Sequence, residues 1–369
     1  MNRACLEINL ENLENNINEI KKLINKNTKI MAVVKANAYG HGANIIATKL
    51  NQIGIEDFAV ATVSEGIELR KNKITGNILI LGYTSLEHIK DVVEYDLIQS
   101  IVDYDYAQRL NELNLEVRCH LAINTGMNRI GEEYTNLDKI YQIYAMKNLK
   151  IEGIFSHLCV ADSNSEEDIE FTKTQIERLK SVIKHLKENN INPGKVHIQS
   201  SFGTINYKDL GFDYVRPGII LYGVYGSKNP YINTKINLKQ VLTLKAQITS
   251  VRNIKKNETI SYGRTFKADD DMKIASVSIG YADGYPRSLS NKNTKVLLNG
   301  KLVPILGRIC MDQLMIDVSE VPDVKQEDEV ILIGNANKEI MLDNVADNAG
   351  MISYELISRL ANRVERKNI

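Results

Sequence analysis

Leu10, Leu13, Ile17, Ile20 and Ile24 recur at alternating steps of three and four, which puts them on one helical face. An amphipathic helix is therefore expected to open the fold. Short apolar runs follow at 30–34, 58–61, 78–81 and 98–102, and these read as buried parallel strands. Four more fall at 117–123, 151–155, 195–198 and 213–216. The segments between them are polar with helical spacing, as at 85–95 and 166–189, so the chain alternates strand and helix. Eight such units within about the first 220 residues match a (β/α)8 barrel in size. An open doubly wound sheet would alternate too, but the count of eight and the lack of a glycine-rich fingerprint after the first strand favour the barrel.

Beyond Tyr222 the texture changes to strand-like runs at 241–254, 273–279, 295–298, 302–306, 314–318 and 329–333, separated by turn residues. Two helical stretches, 342–348 and 353–363, close the chain. The α/β class is thus expected to be a TIM barrel followed by a C-terminal, mostly-β domain. The polar, proline-containing stretch 228–239 is the natural connector, which sets the domains at 1–236 and 237–369.

Composition narrows the function. Lysine plus arginine and aspartate plus glutamate each number 46, giving a formal charge of +0 and no general attraction for nucleic acid or an anionic membrane. A small-molecule partner is expected. No apolar stretch approaches the roughly 20 residues of a membrane helix, so the expected location is cytoplasmic. The four cysteines lie far apart with no C-x-x-C pair, and the six histidines form no H-E-x-x-H, so reduced thiols and no metal are expected.

In a barrel the reactive groups sit at the C-terminal ends of the strands. Lys35, Arg129, His157, Ser200, Ser201 and Arg216 all lie at the end of a predicted strand or in the segment after it. A lysine lodged between apolar walls has its charged form disfavoured and becomes a nucleophile. The serine pair after the seventh strand and the amides of Gly218 and Ile219 after the eighth fall where barrels commonly bind phosphate. Together they point to a phosphorylated cofactor joined to a lysine.

The segment AVVKANAYGHG, residues 32–42, resembles the cofactor-lysine motif of alanine racemases, and the resemblance continues in order through NTGMNRIG, FSHL, DYVRPGIILYG, SYGRTF, GYADGYPR and CMDQ. It covers nearly the whole chain. FSHLCVADSNSEE and HIQSSFGTINY are also similar to the catalytic part of the membrane-anchored serine/alanine racemases linked to vancomycin resistance. The resemblance implies pyridoxal 5′-phosphate as cofactor, a role in supplying D-alanine for peptidoglycan precursors, and a head-to-tail homodimer with shared active sites. It makes Lys35 the Schiff-base lysine and one catalytic base, and Tyr262 the opposing base. His157 and Arg216 are expected to lend positive charge to that tyrosine, with Arg216 also facing the pyridine nitrogen. Tyr39, Ser201, Gly218, Ile219 and Tyr354 are assigned to the phosphate. Arg129 and Met311 go to the substrate carboxylate, and Tyr281, Asp312 and Tyr354 to the entrance.

One departure stands out. Many relatives hold the substrate arginine with a carbamylated lysine seven residues before it and carry an aspartate five before; this chain has Ala122 and Asn124. A chloride or another side chain could hold Arg129 instead. Two other functions compete: a serine or broad-specificity racemase, and a non-catalytic pyridoxal-phosphate binding protein. The second lacks a β-domain, and Tyr354 bears on the first, because serine-using relatives commonly carry a smaller polar residue there.

Overall fold

The structure is a computed structural model that describes residues 3–369. Eight parallel strands close into a ring: Lys29–Val33, Asp57–Val60, Asn77–Ile80, Ile98–Ile101, Val117–Asn124, Leu149–Phe155, Lys195–His197 and Tyr214–Val215. Closure is explicit in the pairing of Tyr214 with Lys29 and of Val215 with Ile30. Strands covered on both faces carry no polar alternation, and Asp57–Val60 and Ile98–Ile101 are buried at every position. Each expected barrel strand is present to within two residues.

The expected opening helix spans Leu10–Lys21 and buries Leu13, Ile17 and Ile20. Asn9 caps it, its side chain accepting from the Asn12 amide at 2.8 Å. This helix does not open the fold, however. A strand, Ala4–Ile8, precedes it and pairs antiparallel with Leu242–Ile254 and parallel with Glu365–Asn368. The chain's two ends are thus zipped together in the second sheet, so a boundary drawn by chain order alone does not follow the sheets at the N-terminus. Both strands escape a local reading because their partners are far away in sequence, and ERKN at 365–368 also has no apolar signal.

That sheet runs Met272–Val277, Leu314–Asp317, Lys301–Leu306, Lys295–Leu298, Glu329–Ile333, Leu242–Ile254, Ala4–Ile8, Glu365–Asn368. Leu242–Ile254 also pairs with Met272–Val277, which curls the sheet onto itself. The closing helix is shorter than expected, Ser353–Ser358. The chain beyond it is pinned by Arg366, whose guanidinium donates to the carbonyls of Leu360, Ala361 and Val364. Most buried side chains of barrel and β-domain form one contiguous core, with a small separate cluster of Ile260, Ile274 and Leu306 in the β-domain. Among the described residues no helix is long and apolar enough to cross a membrane.

Candidate active site

A cavity of about 580 Å³ opens at the C-terminal ends of the barrel strands. Lys35, Tyr39, Arg129, His157, Ser200, Ser201, Arg216, Gly218, Ile219 and Tyr354 all line it, so ten of the fourteen expected site residues converge. Ala122 and Asn124 lie in the same wall.

Lys35 is mounted on unusual backbone. Ala36, Asn37, Ala38 and Tyr39 all have φ between 51 and 54°, a left-handed turn built without glycine. Such residues cost about 1–2 kcal/mol each, on the order of 4–8 kcal/mol for the turn. The surroundings over-determine it. One Glu65 oxygen accepts from the Ala36 amide at 2.7 Å while the other accepts from the Ala61 amide at 2.7 Å. Asn37 Oδ1 accepts from the Ala43 amide at 2.7 Å, and His41 Nδ1 lies 3.0 Å from the carbonyls of both Ala38 and Tyr39. Gly40 ends the turn at φ 80°, where a Cβ would fall 2.0 Å from the Ile357 carbonyl oxygen. Backbone strain held this firmly collects at functional sites. Burial lowers the Lys35 pKa from its ordinary value, as do Arg129 and Arg216, while Glu65 opposes them.

Arg216 is 3% exposed. Its guanidinium donates to the carbonyls of Ser156 at 2.7 Å and Ile198 at 3.2 Å, and to His197 Nδ1 at 2.6 Å; His157 Nδ1 lies 3.3 Å away. Burial pulls its pKa down to about 9, so it remains protonated at neutral pH. His157 departs from expectation. Burial, and then Arg216, Arg129 and Lys35, hold it at about 3, so it is a neutral imidazole at pH 7 and lends no positive charge. The positive potential around it comes from Arg216, Arg129 and Lys35.

At the far wall, Ser201 begins a short helix, Ser201–Asn206, and Ile219 begins a 3-10 turn, Ile219–Tyr222. The Gly218 amide donates to Ser201 Oγ at 3.0 Å, leaving the serine proton free to donate elsewhere. A Cβ on Gly218 would lie 2.5 Å from the Tyr39 hydroxyl oxygen, so only glycine lets backbone and phenol meet there. A hydroxyl, a phenol and the starts of two short helical segments thus meet around Gly218, polar groups of the kind that can hold an anion.

Tyr262, Tyr281, Met311 and Asp312 are elsewhere. None lines the cavity, and all four are exposed, Tyr262 at 70%. They share one face of the β-domain: the Tyr281 amide donates to the Cys310 carbonyl, and Ser261, beside Tyr262, donates from Oγ to the Arg308 carbonyl at 2.5 Å. Ser261 has φ 68° and ψ 176°, a conformation that is nearly glycine-only, so Tyr262 too is presented from strained backbone. Buried Asp283 braces this face through Arg3 and Arg363, the latter also bonding Asp312.

Asn124 makes no side-chain hydrogen bond to Arg129. It organises the preceding loop, accepting from the amides of Gly126 and Asn128 and donating to Asn128 and Glu133. Arg129 itself, exposed at the cavity mouth, makes no side-chain hydrogen bond or ion pair among the described residues. Sequence reading missed Glu65, His197 and His120. Their signals were weak: a helix-capping glutamate, and polar residues inside otherwise apolar strands.

Residues 8–226 match the family "Alanine racemase, N-terminal domain" and residues 241–368 the family "Alanine racemase, C-terminal domain". An amino-acid racemase of Enterococcus faecalis is 44% identical over 98% of this chain and 51% of its own length. A serine/alanine racemase of Enterococcus gallinarum is 42% identical over 99% of this chain and again 51% of its own. The chain therefore spans about half the length of these two curated relatives. The solved alanine racemase of Clostridium difficile 630 superposes with a TM-score of 0.94 at 35% identity, covering 100% of this chain and 96% of that one. Barrel, β-domain, cavity and both domain matches agree, and the chain belongs to the alanine racemase family.

Proposed function

We propose that the chain racemises a small amino acid, alanine in the first place, with pyridoxal 5′-phosphate held at Lys35 and with Lys35 and Tyr262 as opposed bases. The observation that carries this reading is the meeting, in one cavity, of an amine with a lowered pKa, a buried arginine and the polar groups around Gly218. These residues fit the cofactor: Lys35 would anchor it, Arg216 would face its ring nitrogen, and Tyr39, Ser201, Gly218, Ile219 and Tyr354 would hold its phosphate. When bound, the group draws electrons from the substrate Cα and makes its proton removable. Arg216 is a donor only and keeps its protons, so it would orient the ring without passing a proton to it. Arg129 would bind the substrate carboxylate, together with the partner's Met311, which lies on the same outer face as Tyr262. Inversion needs a base on each face of Cα, since one base alone tends to return the proton where it came from. Lys35 serves one face. Tyr262, displayed away from its own cavity, serves the other in the partner of a head-to-tail homodimer, with Tyr281 and Asp312 at the entrance.

The test is the visible absorption of cofactor bound to the full chain, followed by loss of optical rotation from L-alanine. Absorption without racemisation would identify a binding protein instead. For substrate choice, Tyr354 is decisive because it is fixed in place: a Cβ on Gly226 would fall 2.2 Å from its ring, and its ring centroid lies 5.9 Å from that of Tyr39. Tyr354→Asn should raise the serine-to-alanine ratio of kcat/KM about tenfold by opening room for a hydroxymethyl group. An unchanged ratio would remove Tyr354 from the specificity argument.

A further inference from the structure

Barrel interiors are normally filled by branched apolar side chains. Behind Arg216 this one holds two imidazoles instead, His197 at 0% exposure and His120 at 2%, and neither lines the cavity. His197 Nδ1 lies 2.6 Å from Arg216 Nη1, and its Nε2 lies 2.8 Å from His120 Nδ1.

The direction of this chain of hydrogen bonds follows from its first member. Arginine can only donate, so His197 Nδ1 must be unprotonated and accept. The neutral His197 ring then carries its proton on Nε2, where His120 Nδ1 accepts it, and His120 in turn is protonated on Nε2. Burial keeps both rings neutral. Two further features show that the arrangement is built. His120 pairs across the strands with Gly153, where a Cβ would lie 2.7 Å from His120 Cε1, so glycine leaves the space this ring needs. Phe155 stacks on His197 at 5.1 Å with an interplanar angle of 6°, and the Arg216 guanidinium sits 5.4 Å from the same phenyl ring.

We infer that His120 is a positioning residue that, by accepting the His197 proton, fixes the orientation in which Arg216 faces the cavity. Without that acceptor, His197 has a bare buried donor, and the alternative tautomer or ring flip that would relieve it breaks the contact with Arg216. Asparagine can substitute, because its Oδ1 takes the place of Nδ1; leucine cannot.

The kinetic consequence rests on the racemase reading, whereas the tautomer does not. The first measurement is therefore nitrogen NMR of the full chain with isotope-labelled histidine, which has only six such residues to assign. His197 should carry its proton on Nε2 and couple across the hydrogen bond to His120 Nδ1. His120→Leu should abolish the coupling and shift the His197 signals, and His120→Asn should preserve the His197 tautomer. In racemisation, His120→Leu should lower kcat about tenfold with KM changed less than about twofold, and His120→Asn should recover most of the loss. A wild-type His197 protonated on Nδ1 would overturn the inference, as would a His120→Leu chain with unaltered His197 signals and kcat, or a His120→Asn chain as impaired as His120→Leu. Should His120→Leu fail to fold, the wild-type tautomer and the His120→Asn kinetics decide the matter. A chain with the expected tautomers that racemises nothing would count against the racemase reading and support this one.

Discussion

Lys35→Ala and Tyr262→Phe should each lower racemisation by on the order of a thousandfold or more, and mixing the two variants should restore about a quarter of the wild-type rate. The first loss follows from removing an amine that is both the anchor and one base. The second follows from the need for a base on the opposite face. Restoration follows from geometry: Tyr262 is 70% exposed and absent from the cavity that Lys35 lines in its own chain. In a head-to-tail dimer of the two variants, one site combines both defects, and the other combines an intact Lys35 with an intact Tyr262. Equal amounts reassort so that about half the dimers are mixed, each with one of two sites whole. A site completed within one chain would leave a defect in every site. The measurement is co-expression of the two variants with proof of mixed dimers, followed by the alanine assay. Verified mixed dimers without recovered activity would show that Tyr262 does not act across an interface.

Acidification from pH 7 to pH 4 should unfold the chain cooperatively. Burial is the largest cause holding His41 and His120 at about 4, His157 at about 3 and His197 well below the ordinary 6.5. Unfolding releases all four to bind protons at that ordinary value. The unfolded state therefore binds more protons below about pH 6.5, and stability falls as pH drops from there toward the folded values. By pH 4 His41, His120 and His157 each account for roughly 3 kcal/mol, together on the order of 10 kcal/mol, which is comparable to the whole stability of a typical domain, and His197 adds a loss in the same direction. Asp283, held below the carboxylate range by Arg363 and Arg3 against the effect of burial, adds a loss in the same direction at lower pH. Urea unfolding followed by circular dichroism at several pH values gives the number of protons taken up. Four are expected near pH 5, and an uptake of one or fewer would mean that these imidazoles are not held neutral.

Two of those histidines, His120 and His197, show how a local reading can miss a working part. VRCHLAI and KVHI read as strands because apolar residues surround the histidine, and the strands are where the pattern put them. What the histidines do depends on a contact between residues 77 positions apart and on an arginine a further strand away. His157 is the opposite case. Its position at the end of the sixth strand was legible, but its charge was not, because charge depends on how much water and how many cations the fold leaves around it.

Local periodicity was enough for the eight barrel strands, the helix Leu10–Lys21 and the strand-rich second half, since each follows from which face of a short segment must leave water. The ordered run of motifs was enough for the family. Tertiary structure alone decided the rest. Of Ala36 to Tyr39 only Asn37 is a residue type that favours the left-handed region; Glu65, Asn37 and His41 hold the whole turn through bonds that exist only once the chain is folded. The strand Ala4–Ile8 exists because residues more than 200 positions away complete its ladder. And Lys35 and Tyr262, both visible as chemistry in the sequence, are separated onto a cavity and an outer face by the packing of two sheets, because the long-range contacts that set which way a side chain points leave no trace in local spacing.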